Sequence, residues 1–227
     1  PKFTFSYKVG LFREVFKTSM PIYIGVVMNM IILWGPILIV GIFDTAENVA
    51  IYNVCTRLAS LTTFFLLAVR SVAAPRFAEI YSNGIHEDTE KFVRRIAVLV
   101  LISTLPVFFV IVFFRSFLLQ LFGTDFLNPT SSFVLLILVI ANFSTILNGG
   151  AGYMLMMSGN EKRMRNNLLV CAGLCLVLCF LLIPLYGIIG ASFAVLSVLV
   201  YATYNETRLV QKYLGIYIYR KGRSSGS

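Results

Sequence analysis

The sequence predicts an all-α integral membrane protein, a six-transmembrane-helix bundle. Three observations point there. The composition is 58% hydrophobic, with a mean hydropathy of +0.85 and only 13% charged residues, outside the range of soluble domains. Apolar runs long enough to cross a bilayer alternate with short loops. The basic residues, which give a net charge of +9, gather in every second loop. That distribution orients a membrane protein in the lipid bilayer and argues against a nucleic-acid partner.

Lys2 to Ser19 mixes Phe3, Phe5, Phe12 and Phe16 with Lys8, Arg13 and Lys17. This pattern predicts a short amphipathic helix lying on an anionic membrane face. The first span is read at about Met20 to Phe43, with Pro21 suited to a first helical turn and Pro36 predicted to kink it. Asp44 and Glu47 mark a tight acidic loop, and the second span follows from Asn48 to about Val72. The chain continues to Asn83, where Gly84 ends it. Ile85 to Glu90 is a polar loop whose His86, the one histidine, is read as solvated.

The third span, Ile96 to Phe114, is nineteen uncharged residues preceded by Lys91, Arg94 and Arg95, with Pro106 near its middle. The segment from Arg115 to Gly123 reads as an interfacial turn. Ser132 to Met157 forms the fourth span, and the basic loop from Asn160 to Asn166 follows. Leu168 to Tyr204 holds no charge over 37 residues, too long for one span. The break Ile183-Pro-Leu-Tyr-Gly187 folds it into a hairpin of spans five and six. Gly187 with Ala191, and Gly190 with Ala194, are small pairs that allow close helix approach. From Asn205 the basic, aromatic tail is predicted to lie along the membrane surface.

Residues 1–223 are thus read as one bundle and residues 224–227, Ser-Ser-Gly-Ser, as a linker- or tag-like tail. The chain begins at Pro1 without a signal-peptide pattern, and reads as part of a longer protein. Cys171, Cys175 and Cys179 recur along one helix face with no histidine nearby. Small-residue packing explains them, and Cys55, better than a metal. No cofactor, metal or catalytic residue is indicated.

The residue that organises the candidate site is Arg57. It lies roughly 14 Å from a helix start near Asn48, at ~1.5 Å per residue, and so near mid-membrane. An ionised side chain there costs about 3 kcal/mol and usually faces a bundle interior or a wet cavity. Asn53, Thr56, Arg57, Ser60, Thr63 and, further on, Arg70 fall near one stripe, with Ile51, Leu58, Phe65 and Val69 opposite and predicted to face lipid. No acidic residue lies in the predicted spans to neutralise Arg57. A second stripe holds Asn142, Thr145, Asn148 and Gly152, for which hydrogen bonding between helices is as good a reading as substrate contact.

Several runs together resemble the second half of an oligosaccharide flippase of the polysaccharide and O-antigen type. They are Met20-Pro21 leading to Trp34; Tyr52 to Leu58; Ala74-Pro75 to Glu79 with Gly84; Leu121-Phe-Gly123; and Ile183 to Ala191. That group sits in the superfamily that also contains the lipid II flippase and the MATE exporters, and the resemblance spans about residues 11 to 210. It implies a fold of two six-helix bundles facing each other as a V across a cavity, this chain being the C-terminal one. It also implies a non-enzymatic transporter in the bacterial inner (plasma) membrane, with a preceding six-helix half as partner. The implied cargo is a lipid-linked oligosaccharide, its diphosphate held by cavity cations. Arg57 matches a cavity arginine of the lipid II pattern. Thr56 stands where those members carry an acid, which favours the broader oligosaccharide group.

Arginine suits such a diphosphate because it stays charged and offers several donors, and Asn53, Ser60, Asn142 and Asn148 offer partners to sugars. A drug or cation antiporter of the MATE kind is the alternative, for which a carboxylate within a span is expected. A membrane enzyme of polymer assembly calls for larger outward loops than these. Seventeen of the nineteen basic residues fall on one side of the predicted topology, with Arg115 on the other and Arg57 within a span. Both ends are therefore expected to be cytoplasmic. A cysteine placed at Asn83 is expected to be labelled only from the cytoplasm, and one at Thr124 only from outside. The opposite labelling would overturn this orientation.

Overall fold

In hydrocarbon a backbone amide has no water to bond, so a spanning segment must satisfy its own polar groups. Among the described residues every regular element is accordingly helical. The computed structural model describes residues 9–64, 66–69, 86–148 and 150–215. The elements are α1 (Val9–Phe43), α2 (Ala46–Ser60) with a 3-10 turn at Leu61–Thr63, α3 (His86–Phe113), α4 (Arg115–Gln120), α5 (Pro129–Ile146), α6 (Ala151–Met157) and α7 (Glu161–Leu214). A second 3-10 turn, Thr124–Phe126, lies between α4 and α5.

The helix starts follow local chemistry. Thr45 caps α2 by accepting from the Asn48 amide at 3.3 Å, and Asp44 accepts from the Asn48 side chain at 2.6 Å. Asn128 caps α5, accepting from the Ser131 amide at 2.7 Å, with Pro129 in the first turn where its missing N–H costs nothing.

Four of these helices, at Tyr23–Phe43, Lys91–Phe113, Pro129–Ile146 and Glu161–Leu214, are long and apolar enough to cross a membrane. The last has 54 residues, which would make a straight rod of ~80 Å. It is not straight. Gly187 takes φ 56° and ψ −138°, and the Asn205 side chain donates to Asn167 Oδ1 at 2.6 Å across 38 residues of sequence. The two arms therefore run back along each other, as the Ile183–Gly187 break predicts. At the turn a Cβ on Gly190 would fall on the Leu182 carbonyl, and one on Gly187 would meet Asp44 Oδ2 at 2.8 Å.

One large core gathers Val40, Tyr52, Cys55, Leu58, Leu135, Leu138, Cys175, Cys179, Ile183, Ala191 and Ala194. All four cysteines are buried and unbridged, packed as small apolar groups. A second cluster joins Val93 and Ala97 of α3 to Ala151, Met154, Leu155, Val210 and Leu214. The two clusters lie toward opposite ends of the bundle. Gly187, Asp44 and α4 share one end; the basic segments of α3 and α7 share the other.

Four expectations change. Helix α1 runs unbroken from Val9, taking in part of the segment predicted to lie flat. Residues 86–90 are helical rather than a loop, because His, Glu, Asp and Thr continue the α3 periodicity without a Gly or Pro to stop it. The predicted fourth span stops at Ile146 and turns at residues 147–150. The predicted surface tail is helical to Leu214, since Glu206, Val210 and Leu214 recur every four residues on a face that the second cluster covers. The leading segment 1–8, the Ala74–Glu79 motif with Gly84, and residues 216–227 lie outside the described residues.

The hairpin turn carries a test. Gly190→Ala puts a methyl group against backbone that cannot swing aside, whereas Gly173→Ala meets nothing within 4 Å. Gly190→Ala is expected to cost about 1–3 kcal/mol, and Gly173→Ala less than about 0.5 kcal/mol. Thermal unfolding of the detergent-solubilised protein reads the difference, and equal midpoints would show that the arms do not pack this way.

Candidate functional site

Helix α2 has two unlike faces. Ile51, Tyr52, Cys55, Leu58 and Ala59 are buried in the bundle core. Ile51 and Leu58 were expected to face lipid; at 3% and 6% exposure they do not. Burying the apolar stripe against α5 and α7 releases more free energy than leaving it at the perimeter would, and it rotates the polar stripe outward. Arg57 and Ser60 are exposed and Asn53 and Thr56 half-buried, so Arg57 points away from the core of its own bundle.

The stripe is braced locally. Arg57 Nε donates to Asn53 Oδ1 at 3.2 Å. Ser60 Oγ donates to the Arg57 carbonyl at 2.7 Å, Thr56 Oγ1 to the Tyr52 carbonyl at 2.8 Å, and Thr63 Oγ1 to the Ser60 carbonyl at 2.8 Å. The Asn53 contact uses only one edge of the guanidinium. The residue is exposed, and its terminal amines form the fork that suits a phosphate or carboxylate.

The other sequence-predicted residues divide. Asn142 is half-buried, and its side-chain amide donates to the Leu138 carbonyl one turn back at 3.0 Å. Asn148 is buried and is committed inside the bundle rather than to the Arg57 stripe. It accepts from the Gly150 amide at 3.0 Å and donates to Glu206 Oε2 at 2.7 Å. Arg70 lies outside the described residues.

Glu206 is the residue that sequence reading missed. The uncharged run ended at Tyr204, so no acid was expected within a span; the structure carries α7 on and buries Glu206 to 8% exposure. It holds Asn148 at the point where α5 gives way to α6 and Gly150 takes φ 88°. Gly152 leaves it room, since a Cβ there would approach Glu206 Oε2 to 3.1 Å. Nearby, Asn167 is 3% exposed and bonded to Asn205, with its own Nδ2 lacking a partner. The signal was present in sequence as Glu206, Val210, Leu214 at four-residue spacing.

Apolar helices that cross a membrane, carrying one cationic face turned off their shared core, define a multi-pass membrane protein. The chain belongs to the MatE family, whose pattern matches residues 18–181. It is 26% identical over 183 residues to a protein of Haloferax volcanii described as a probable low-salt glycan biosynthesis flippase, Agl15; the match covers 80% of this chain and 38% of that protein. Its fold resembles an outward-facing multidrug resistance MATE family transporter of the MOP superfamily, with TM-score 0.72 at 16% identity, over 92% of this chain and 48% of the other. It also resembles a MOP superfamily transporter from Pyrococcus furiosus, with TM-score 0.65 at 17% identity, over 92% and 46%. The chain thus spans about half the length of these solved relatives and less of the curated one.

Removing the Glu206 carboxylate strands the buried Asn148 amide. Glu206→Ala is expected to cost about 1–3 kcal/mol, while Glu206→Gln, which keeps a carbonyl acceptor, costs less. Thermal unfolding checks this, and an undisturbed Glu206→Ala protein would mean that the bond contributes nothing to the α5–α6 turn.

Proposed function

We propose that this chain is the second six-span half of a flippase that moves a polyprenyl-diphosphate-linked oligosaccharide from the cytoplasmic to the outer leaflet for surface polysaccharide synthesis. In this reading α2 and the helical residues 66–69 make one span, the folded α7 makes two, and both ends lie in the cytoplasm of a bacterial cell. A preceding six-helix bundle faces the exposed stripe of α2 across a cavity. The observation that carries the reading is the exposed Arg57, braced by Asn53 on a face directed away from its own core.

Arg57 binds the diphosphate through its outer amines, with Arg70 as a second cation toward the end of the same span. Asn53 and Ser60 border the first sugar, and Asn142 offers its amide oxygen from the neighbouring helix. Asn148 acts from behind, holding the α5–α6 turn through Glu206. Two features support a flippase over other cargo: the glycan-flippase relative, and the chemical match of a planar, permanently charged donor to a diphosphate.

Glu206 favours a second reading, a MATE-type drug or cation antiporter half. A buried carboxylate in a membrane helix is suited to binding a proton or cation, and the expectation that no acid lies within the helices no longer weighs against it.

Surface-polysaccharide output, normalised to membrane protein level in cells carrying the full-length protein, separates the two. Arg57→Ala is expected to reach wild-type abundance and lose roughly tenfold or more of its output, as for a lost charge-assisted contact. Arg57→Lys keeps the charge without the fork and retains part. Normal output from a normally expressed Arg57→Ala protein would sink the flippase reading. Drug efflux that survives Arg57→Ala but not Glu206→Gln would establish the antiporter.

A further inference from the structure

Helix α3 is divided as sharply as α2. Val93, Ala97, Val100, Thr104 and Ile111 are buried on one side. On the other lies a groove of about 550 Å³, lined among the described residues by Lys91, Arg94, Arg95, Val98, Leu99, Ile102 and Ser103. Its volume falls within the usual range for small-molecule sites. At 100° per residue these lining positions share one half of the helix surface, opposite the buried stripe.

The groove is cationic at one end only. Arg94 and Arg95 are exposed, and no acid lines the groove among the described residues. Beyond them Val98, Leu99 and Ile102 are 47%, 50% and 62% exposed, an apolar track of ~10 Å from Arg95 to Ile102. Cations followed by hydrocarbon match a molecule with an anionic head and an acyl chain. The charged end lies beside the cluster that Val93 and Ala97 form with Val210 and Leu214, the end that also holds Arg163 stacked on Tyr213 at 3.4 Å and Arg208 on Tyr204 at 4.4 Å. Basic and aromatic groups of this kind sit at the level of the bilayer phosphates.

We propose that this groove is a resident site for an anionic phospholipid of the bilayer. Arg94 and Arg95 hold its phosphate by guanidinium hydrogen bonds, and Val98, Leu99 and Ile102 hold the first part of one acyl chain. A transported diphosphate is the wrong occupant, because past the arginines the track offers only Ser103 as a polar partner. A headgroup can rest here but cannot travel. The inference needs only that α3 crosses a membrane, so its fate is separate from that of the flippase reading.

The test is native mass spectrometry of the full-length protein titrated with phosphatidylglycerol or phosphatidylcholine of matched chains. The first lipid retained is expected to favour phosphatidylglycerol by roughly thirtyfold, as about 1 kcal/mol for each of two basic residues facing an anionic lipid implies. Arg94→Gln with Arg95→Gln should reduce the preference to about twofold or less. The paired Lys variants should keep most of it, and both pairs should fold because the side chains are exposed. Ile102→Gln should weaken both lipids alike. Equal retention of the two headgroups, or a preference indifferent to the Gln pair, overturns the proposal. So does displacement by millimolar inorganic phosphate, which would mark a free-anion site, or by equimolar polyprenyl diphosphate, which would mark a substrate track.

Discussion

A helix in hydrocarbon can stop bonding to itself only where something else takes over the freed groups, and this bundle is arranged around two such places. At Gly187 the longest helix reverses, and Asp44 from the α1–α2 loop lies against the turn. At residues 147–150 α5 yields to α6, and Asn148 fills the gap, with one bond to the Gly150 amide and one to Glu206. Each break thus lies beside a carboxylate, one at either end of the bundle. The small residues around them follow. Gly190 lets the α7 arms close to backbone contact, and Gly152 leaves space for the Glu206 side chain.

Once the breaks are fixed, the helix faces have little freedom. The apolar stripe of α2 and the buried stripe of α3 go to the core, which leaves Arg57 on one helix and Arg94 and Arg95 on another looking outward. These cations differ in depth. In the proposed reading, where α2 is part of a span, Arg57 lies about ten residues inside it, where only a protected polar partner makes its charge tolerable. Arg94 and Arg95 are near the start of the apolar stretch of α3, Lys91–Phe113, where lipid phosphates can reach them without any cavity. The same side chain therefore points to a transported anion in one place and a stationary one in the other.

Four long apolar helices and the hairpin were legible because they depend on local quantities: run length, charge spacing, and a proline and glycine within five residues of each other. The pairing of faces was not. Ile51 and Leu58 are as apolar as any lipid-facing residue, and nothing in α2 alone says that α5 and α7 will cover them. Glu206 was hidden by a related error. A charge was taken as the end of a span, yet the helix continues because Val210 and Leu214 repay its extension with burial. Charge marks where a helix meets water only if no neighbour can hydrogen-bond it, and Asn148 does so from 58 residues away.

Arg57 and Glu206 pull the chemistry in different directions, and their surroundings show how both can serve one transporter. Arg57 is exposed, held on one edge, and oriented by a residue of its own helix. Glu206 is buried, and it accepts from Asn148, which lies in the turn between two other helices. A ligand at Arg57 meets a site already formed, whereas a change in charge at Glu206 acts on the α5–α6 turn through Asn148. That turn contains a left-handed glycine and leads into a helix of only seven residues, and the two Asn148 bonds brace it. In the proposed reading recognition therefore falls to the outer face of α2, while the Glu206 bond braces the turn behind it, and α5 packs on both α2 and α7.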